Sequence, residues 1–208
     1  MSVLDRIAHL QNRRDEVPNQ ELARDLAEKR DREGIREIAE NLWNKDKNIQ
    51  ADCIKVLYEI GYIDSSLIAD YAEDFLKLFK SRNNRLVWGG MIALSTVAEL
   101  KADFIHAHMT EILKAMNTGS VITVDNAVKV LALAATNDVY RPAIFPYLLE
   151  HLRACRPKDV PQHSEMSLPA VDANNKNELI AVLEKRMEDL SASQITRVRK
   201  VIKTAEKR

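Results

Sequence analysis

The sequence predicts an all-α fold: an α-α superhelix (solenoid) of about four helical hairpins, with capping helices at both ends. Three observations carry this prediction. Only 5 glycines, 6 prolines and 5% aromatic residues occur in 208 residues, too few turn-formers and ring residues for a many-stranded sheet. Apolar residues recur at i, i+3, i+4 and i+7, which is the spacing of one helix face. The same apolar pattern then returns at a fixed interval along the chain.

That interval is 37 residues. Two of the repeated apolar positions are occupied by Ile38, Phe75 and Ile112, and by Leu57, Leu94 and Leu131. Each repeat divides into two helical segments separated by a short polar link. The predicted first helices span 32–44, 65–80 and 102–117, and the predicted second helices span 48–62, 84–100 and 120–136. Asn84 and Ser120 are expected to cap second helices, and Gly119 is expected to end a first helix in a left-handed conformation.

A hairpin of this size cannot bury its own apolar face, so neighbouring hairpins must stack side by side. The period and the two-helix pattern over residues 32–136 resemble HEAT and armadillo-type repeats. This resemblance is one of architecture, and it implies a solenoid of HEAT-like hairpins. It says little about function, because unrelated functions share this architecture.

We expect residues 1–208 to form one domain with four parts. The predicted parts are N-terminal capping helices at 1–31, repeats at 32–155, an irregular loop at 156–175 and C-terminal helices at 176–208. The loop is predicted because its segment holds Pro157, Pro161 and Pro169 and shows little periodicity. The capping helices are expected at 3–14, 19–30, 177–190 and 193–207.

The bulk composition narrows the classes of function. The formal net charge is zero, which provides no general attraction to nucleic acid. No apolar run approaches the roughly 18 residues that cross a bilayer, and the charged N-terminal pattern does not fit a signal peptide. We therefore expect a cytoplasmic protein that does not contact membranes, with Cys53 and Cys155 reduced.

We predict no catalytic residues, no cofactor and no metal site. A glycine-rich phosphate loop is missing from the sequence, as are the H-E-x-x-H and C-x-x-C patterns of common zinc sites. Three residues of types that bind zinc, His151, Cys155 and His163, flank or lie in the predicted loop, near Asp159 and Glu165. Nothing in the sequence fixes their spacing in space, so we expect them to be ordinary surface residues.

The predicted binding surface lies on the second helices, which line the concave side of a stacked arc. Its residues are Lys55, Tyr58, Arg85, Trp88, Gly89 and Ile92. Trp88 and Ile92, one turn apart, are the expected apolar anchors, because aromatic residues in depressions dominate binding interfaces. Gly89 is expected to leave bare backbone open to a partner, whereas Gly90 is expected to face a neighbouring helix at close approach. The alternative for Trp88 is that it folds onto the next repeat and fills space.

The favoured function is a non-catalytic scaffold that binds a protein or peptide on its concave face. The alternative is a DNA-binding activity of the HEAT-like alkylated-base glycosylase type. Trp88 beside Arg82, Arg85 and Asp125 resembles such a site, although the neutral net charge disfavours it.

The basic C-terminal segment 193–207 is expected to be a capping helix, or else a docking surface for an acidic partner or a nucleic-acid backbone. Trp43 is expected to fill space beneath the N-terminal cap.

Overall fold

A computed structural model describes residues 2–208 and confirms the all-α prediction. Twelve α-helices and no strand occur in these residues. The helices are α1 Val17–Lys29, α2 Arg32–Glu40, α3 Lys47–Ile63, α4 Ala72–Lys77, α5 Asn84–Val97, α6 Ala102–Ala107, α7 Met109–Thr118, α8 Val121–Ala134, α9 Arg141–Ala154, α10 Val160–Ser167, α11 Lys176–Arg186 and α12 Ala192–Ala205. Short 3₁₀ helices extend several of them, for example Asn41–Trp43 after α2 and Leu78–Lys80 after α4.

The helices form two rows. The second-helix row runs α1, α3, α5, α8, α10, α12, and each of its members packs against the next. The first-helix row runs α2, α4, α6 with α7, α9, α11, and each of these packs against the second helix that follows it in the chain. Every hairpin is therefore sealed by its neighbours, as expected for a solenoid.

The repeated apolar positions occupy equivalent places in successive hairpins. Leu57, Leu94 and Leu131 lie on α3, α5 and α8, and all three side chains are fully buried. The first-helix triplet of Ile38, Phe75 and Ile112 is fully buried as well. Residues 37 apart in the sequence thus occupy equivalent positions in the core, and each repeat contains one helix pair.

The prediction of an irregular loop at 156–175 is wrong. Residues Val160–Ser167 form α10, followed by the 3₁₀ helix Leu168–Ala170. Pro161 lies in the first turn of α10. Backbone N–H groups in the first turn form no hydrogen bond within the helix, so the N–H that proline lacks is not missed there. α10 packs against α8, α9 and α12, so it is the second helix of a fourth hairpin. α11 and α12 then form a further pair at the C-terminal end.

The predicted helix at 3–14 is also wrong, whereas the helix expected at 19–30 is present as α1. Among residues 2–16, only Leu4–Arg6 are helical, as a single 3₁₀ turn. The segment that follows is held by polar contacts. Asn19 accepts from the Ala8 amide at 2.9 Å, and Asp52 accepts from the His9 amide at 2.7 Å and from Asn19 Nδ2 at 2.9 Å. We call these four residues the N-terminal clamp; Asn19 and Asp52 are both buried.

Two of the expected helix ends differ in detail. Ser120 caps α8 as predicted, because its hydroxyl accepts from the Thr123 amide. α5 is capped by Asn83, whose side chain accepts from the Arg85 amide, and not by Asn84. Gly119 precedes α8 with φ −86° and ψ 175°, which is extended and not left-handed. The polar links therefore start the second helices as expected, with the cap of α5 shifted by one residue.

Both glycines near the start of α5 are explained by packing. A β-carbon built on Gly90 would lie 2.8 Å from the carbonyl oxygen of Phe75 and 3.1 Å from Cβ of Leu78. One built on Gly89 would lie 2.9 Å from Cγ1 of Ile54 on α3. The close approach predicted for Gly90 is confirmed. The open backbone predicted for Gly89 is wrong, because Gly89 is buried where α5 crosses α3.

We expect Gly90→Ala to lower the free energy of unfolding by about 1–3 kcal/mol. Alanine gains about 1 kcal/mol in helix propensity, but the added methyl group meets a backbone carbonyl that cannot rotate away. Urea denaturation followed by circular dichroism measures the difference. Glu28→Ala, at an exposed position of α1, is the control and should change stability by less than about 0.5 kcal/mol. A Gly90→Ala protein as stable as this control would contradict the packing account.

Candidate functional site

The structure divides the six residues of the predicted binding surface into two groups. Trp88 and Arg85 are partly exposed, and the Arg85 side chain keeps 42% of its surface. Lys55, Tyr58, Gly89 and Ile92 are buried. Ile92 is therefore corrected from an anchor that a ligand touches to a core residue beneath the surface. The rotation of α5 leaves Trp88 partly exposed and packed against the core, and turns the residue one turn later inward.

Trp88 belongs to an aromatic cluster that the sequence did not reveal in full. We define the aromatic cluster as Tyr58, Tyr62 and Trp88. The ring centroids of Tyr58 and Tyr62 are 6.0 Å apart, and those of Tyr58 and Trp88 are 6.5 Å apart. Tyr62 is 53% exposed. The sequence feature that could have predicted this contact is the spacing of four residues between Tyr58 and Tyr62, because residues four apart share one face of a helix.

Two lysines lie against rings of this cluster. Lys55 Nζ is 4.9 Å from the ring centroid of Tyr58, and Lys129 Nζ, on α8, is 5.4 Å from that of Tyr62. Contacts of this kind attract a cation to the electron-rich face of an aromatic ring. The aromatic cluster and Lys129 together span α3, α5 and α8. The surface is therefore continuous across three second helices.

Glu16, immediately before α1, joins the two basic residues predicted for the rim. Its carboxylate lies 2.9 Å from Lys55 Nζ and 2.8 Å from Arg85 Nη2, and Lys55 also pairs with Glu59 at 2.6 Å. Burial acts to lower the pKa of Lys55, but hydrogen bonds to Glu59 and Glu16 outweigh it and raise that pKa above its usual value. Lys55 therefore stays charged, and its charge is balanced by Glu16 and Glu59 within the protein. Its role at the site is structural.

Two residues of the glycosylase alternative, Asp125 and Arg85, are paired with other protein groups. Asp125 Oδ1 lies 2.8 Å from Nε2 of His163, and Arg85 is paired with Glu16. Arg82 is exposed. A carboxylate held by a buried histidine is poorly placed to serve as a free acidic group for catalysis. This arrangement favours the scaffold interpretation over the glycosylase interpretation.

A second polar cluster forms where α9 meets α10. Nε2 of His151 and Nδ1 of His163 are 2.8 Å apart. These two histidines and Cys155 bring one ligand atom each within 4.8 Å of one another. Burial, followed by the proximity of His163, lowers the pKa of His151 to about 4. The sequence could not predict this arrangement, because the expected loop hid the helix that carries His163.

Two further expectations concern the ends of the chain. Trp43 is 52% exposed at the end of a 3₁₀ helix, so the prediction that it fills space under the cap is wrong. α12 packs against α10, and its Arg197 pairs with Glu165 at 2.6 Å. This contact places α12 beside α10 in the second-helix row, and its role as a capping helix stays a prediction.

These observations define the class of protein. Successive helix pairs stack in register along two rows, so the chain is an α-solenoid repeat protein. Within residues 2–208, none of the helices combines the length and apolar character needed to cross a membrane. The aromatic cluster, with its flanking lysines and Glu16, is the part of the second-helix row in which partly exposed rings and charges lie together.

Comparison with solved structures identifies the architecture as armadillo/HEAT-like. A designed armadillo repeat protein in complex with the peptide (KR)4 matches with a TM-score of 0.68 and 12% identity, over 89% of this chain and 86% of that chain. A second designed armadillo repeat protein matches with a TM-score of 0.67 and 11% identity, over 97% and 99%. An engineered protein of the Northeast Structural Genomics Consortium matches with a TM-score of 0.65 and 18% identity, over 100% and 98%. No protein-family model and no curated protein matches the sequence.

Proposed function

We propose that the protein is a non-catalytic scaffold that binds an extended segment of a partner protein on the concave face formed by its second helices. The observation that carries this proposal is the aromatic cluster, in which Trp88 and Tyr62 reach solvent around the buried ring of Tyr58. Large rings that are already held in place lose little conformational freedom on binding. Trp88 and Tyr62 are the anchors, and they replace the pair of Trp88 and Ile92 predicted from the sequence.

The charges around the cluster favour a mixed rather than a uniformly charged partner. Glu16 and Glu59 both pair with Lys55, beside Tyr58, and Lys129 lies over the ring of Tyr62. A fitting partner segment carries an apolar or aromatic side chain between a basic and an acidic residue. The apolar side chain supplies affinity by excluding water, and the flanking charges supply selectivity and orientation.

The comparison with solved structures supports this proposal at the level of fold. A designed armadillo repeat protein of similar architecture is in complex with the peptide (KR)4. Its identity to this chain is 12%, so the nature of its peptide does not transfer to this protein. It illustrates that a stack of this kind can bind a peptide chain.

A selection experiment tests the proposal. Random peptides are displayed and selected on the wild-type protein, and the affinity of the enriched peptides is then measured by calorimetry. We expect Trp88→Ala and Tyr62→Ala each to weaken binding by about thirtyfold, because an anchor residue at an interface contributes about 2 kcal/mol. Val139→Ala is the matched control, since Val139 is 77% exposed outside the aromatic cluster, and it should leave the affinity unchanged.

Two outcomes would count against the proposal. Selected peptides that bind Trp88→Ala as tightly as the wild-type protein would place the binding site elsewhere. Binding of duplex DNA at low salt that weakens steeply at physiological salt would support the nucleic-acid alternative instead. Circular dichroism of each variant separates a loss of binding from a loss of fold.

A further inference from the structure

The polar cluster between α9 and α10 contains the donor atoms of a metal site. His151 and Cys155 are four residues apart at the C-terminal end of α9, so they share one face of that helix. His163 faces them from α10 and is 1% exposed. Two imidazole nitrogens and one sulfur thus converge from two helices whose mutual packing is fixed by the solenoid core.

Asp125 orients the central histidine. Its carboxylate, on α8, can only accept a hydrogen bond, so the proton of His163 lies on Nε2, at 2.8 Å. Nδ1 of His163 then carries a lone pair directed at His151. Metal-binding histidines commonly donate their second ring N–H to a carboxylate in this way, which fixes the tautomer and raises the basicity of the ligand nitrogen.

We propose that His151, Cys155 and His163 form a binding site for a zinc ion, with Asp125 as a positioning residue for His163. Nitrogen and thiolate ligands in a tetrahedral set suit Zn²⁺ better than Mg²⁺ or Ca²⁺, which require oxygen ligands. Three protein ligands leave a fourth position for water or for a further ligand.

The distances are close to those that zinc requires. Bonds of 2.0–2.3 Å in a tetrahedral site separate the ligand atoms by about 3.3–3.6 Å. The three ligand atoms here lie within 4.8 Å of one another, and the two imidazole nitrogens are 2.8 Å apart. Binding therefore requires the two imidazole nitrogens to separate by about 0.5 Å and both rings to turn their lone pairs toward the ion. The metal takes the place of the hydrogen bond between the histidines: the proton on Nε2 of His151, which forms that bond, leaves to solvent as Nδ1 takes one up, so the ring stays neutral, and Cys155 releases its proton to solvent.

The site has a route to solvent and a partner for the thiolate. Cys155 lines a cleft of about 800 Å³ between α9 and α11, whose wall includes Arg156 and Arg186. Arg186 Nη1 lies 4.0 Å from Sγ of Cys155, where its charge partly offsets the burial that raises the pKa of the Cys155 thiol. The cleft therefore gives a metal ion access to the Cys155 side of the site, whereas His163 lies buried behind it.

Titration of the full chain with Co²⁺ tests the proposal, because Co²⁺ adopts the geometry of zinc and absorbs light. We expect one equivalent to bind with a thiolate-to-cobalt charge-transfer band in the near ultraviolet, and we expect Zn²⁺ to displace it. Cys155→Ser should abolish the band. Asp125→Asn should keep the band but weaken binding by about 10–100-fold, as for other carboxylates behind a metal-bound histidine. His106→Ala, at an exposed position away from the cluster, is the control and should bind like the wild-type protein.

Alkylation of the wild-type protein provides a second readout that does not depend on the folding of any variant. Zn²⁺ should protect Cys155 from iodoacetamide. Cys53 is an internal control that should react in neither condition, because burial, together with nearby Asp52 and Glu37, raises its pKa to about 12. Absence of both the cobalt–thiolate band and the protection would overturn the proposal and leave the three side chains as a hydrogen-bonded network. A band that persists in Cys155→Ser would overturn the assignment of the ligands.

Discussion

Leu94→Ala is expected to lower the free energy of unfolding by about 3 kcal/mol or more. Leu94 is fully buried on α5, which packs against α3 on one side, α8 on the other and α4 behind. Removal of the side chain leaves a cavity that three helices cannot close together, and such changes cost about 2–5 kcal/mol. Urea denaturation followed by circular dichroism measures the loss.

The repeat itself supplies the comparison variants for Leu94. Leu57→Ala and Leu131→Ala alter equivalent, fully buried positions on α3 and α8, so their losses should be similar. Leu100→Ala is the control, since Leu100 follows α5 and is 55% exposed, and it should cost less than about 0.5 kcal/mol. If Leu94→Ala matched Leu100→Ala, the hairpins could not be packed in the register described above.

Asp52→Ala is expected to lower the free energy of unfolding by about 3 kcal/mol through the N-terminal clamp. The change removes the acceptor of two hydrogen bonds, from the His9 amide and from Asn19 Nδ2. Asn19 is fully buried, so its amide group loses a charged partner that water cannot replace. A buried donor left without a partner costs about 1–3 kcal/mol.

Limited proteolysis provides a readout specific to the clamp. If Asp52 holds residues 2–14 in place, Asp52→Ala should speed tryptic cleavage after Arg13 and Arg14 more than cleavage elsewhere. Asp70→Ala is the control, because the Asp70 side chain is 81% exposed and its loss should change stability by less than about 0.5 kcal/mol. Equal stability and equal cleavage rates in the two variants would show that the clamp contributes nothing.

The repeated core was predictable because one physical constraint recurs in it. Each hairpin buries its apolar face against a neighbour of the same shape, so the same positions carry apolar residues every 37 residues. The predicted second helices at 48–62, 84–100 and 120–136 correspond to α3, α5 and α8. The first helices were harder to predict in detail: the one expected at 102–117 is divided at His108 into α6 and α7.

The helix α10 could not be predicted because it departs from the pattern of the repeat. It has only eight residues, VPQHSEMS, and it buries His163, Ser164 and Ser167 in addition to apolar side chains. These polar residues are accommodated by hydrogen bonds, for example from the Ser167 hydroxyl to the His163 carbonyl at 2.8 Å. A method that searches for apolar periodicity reads such a segment as a loop.

The candidate site was predictable in position but not in composition. The period placed Trp88 on the outward side of a second helix, and in the structure it is partly exposed and packs against the core. It could not establish that Ile92, one turn later, turns inward, because a rotation of the helix by a few tens of degrees decides which neighbour reaches solvent. It also could not predict the contact between Glu16 and Arg85, which are 69 residues apart, because the segment that carries Glu16 lies outside the repeat.

The glycine at the crossing of α3 and α5 has a consequence for the shape of the whole molecule. Because Gly89 offers only a hydrogen atom to Ile54, the separation and tilt of these two helices are set by contact between the Ile54 side chain and the main chain of α5. In a stack, every later hairpin inherits the orientation established at an earlier crossing. A small change in tilt at this crossing therefore produces a larger displacement of hairpins farther along the stack. It changes the distance between the two ends of the solenoid.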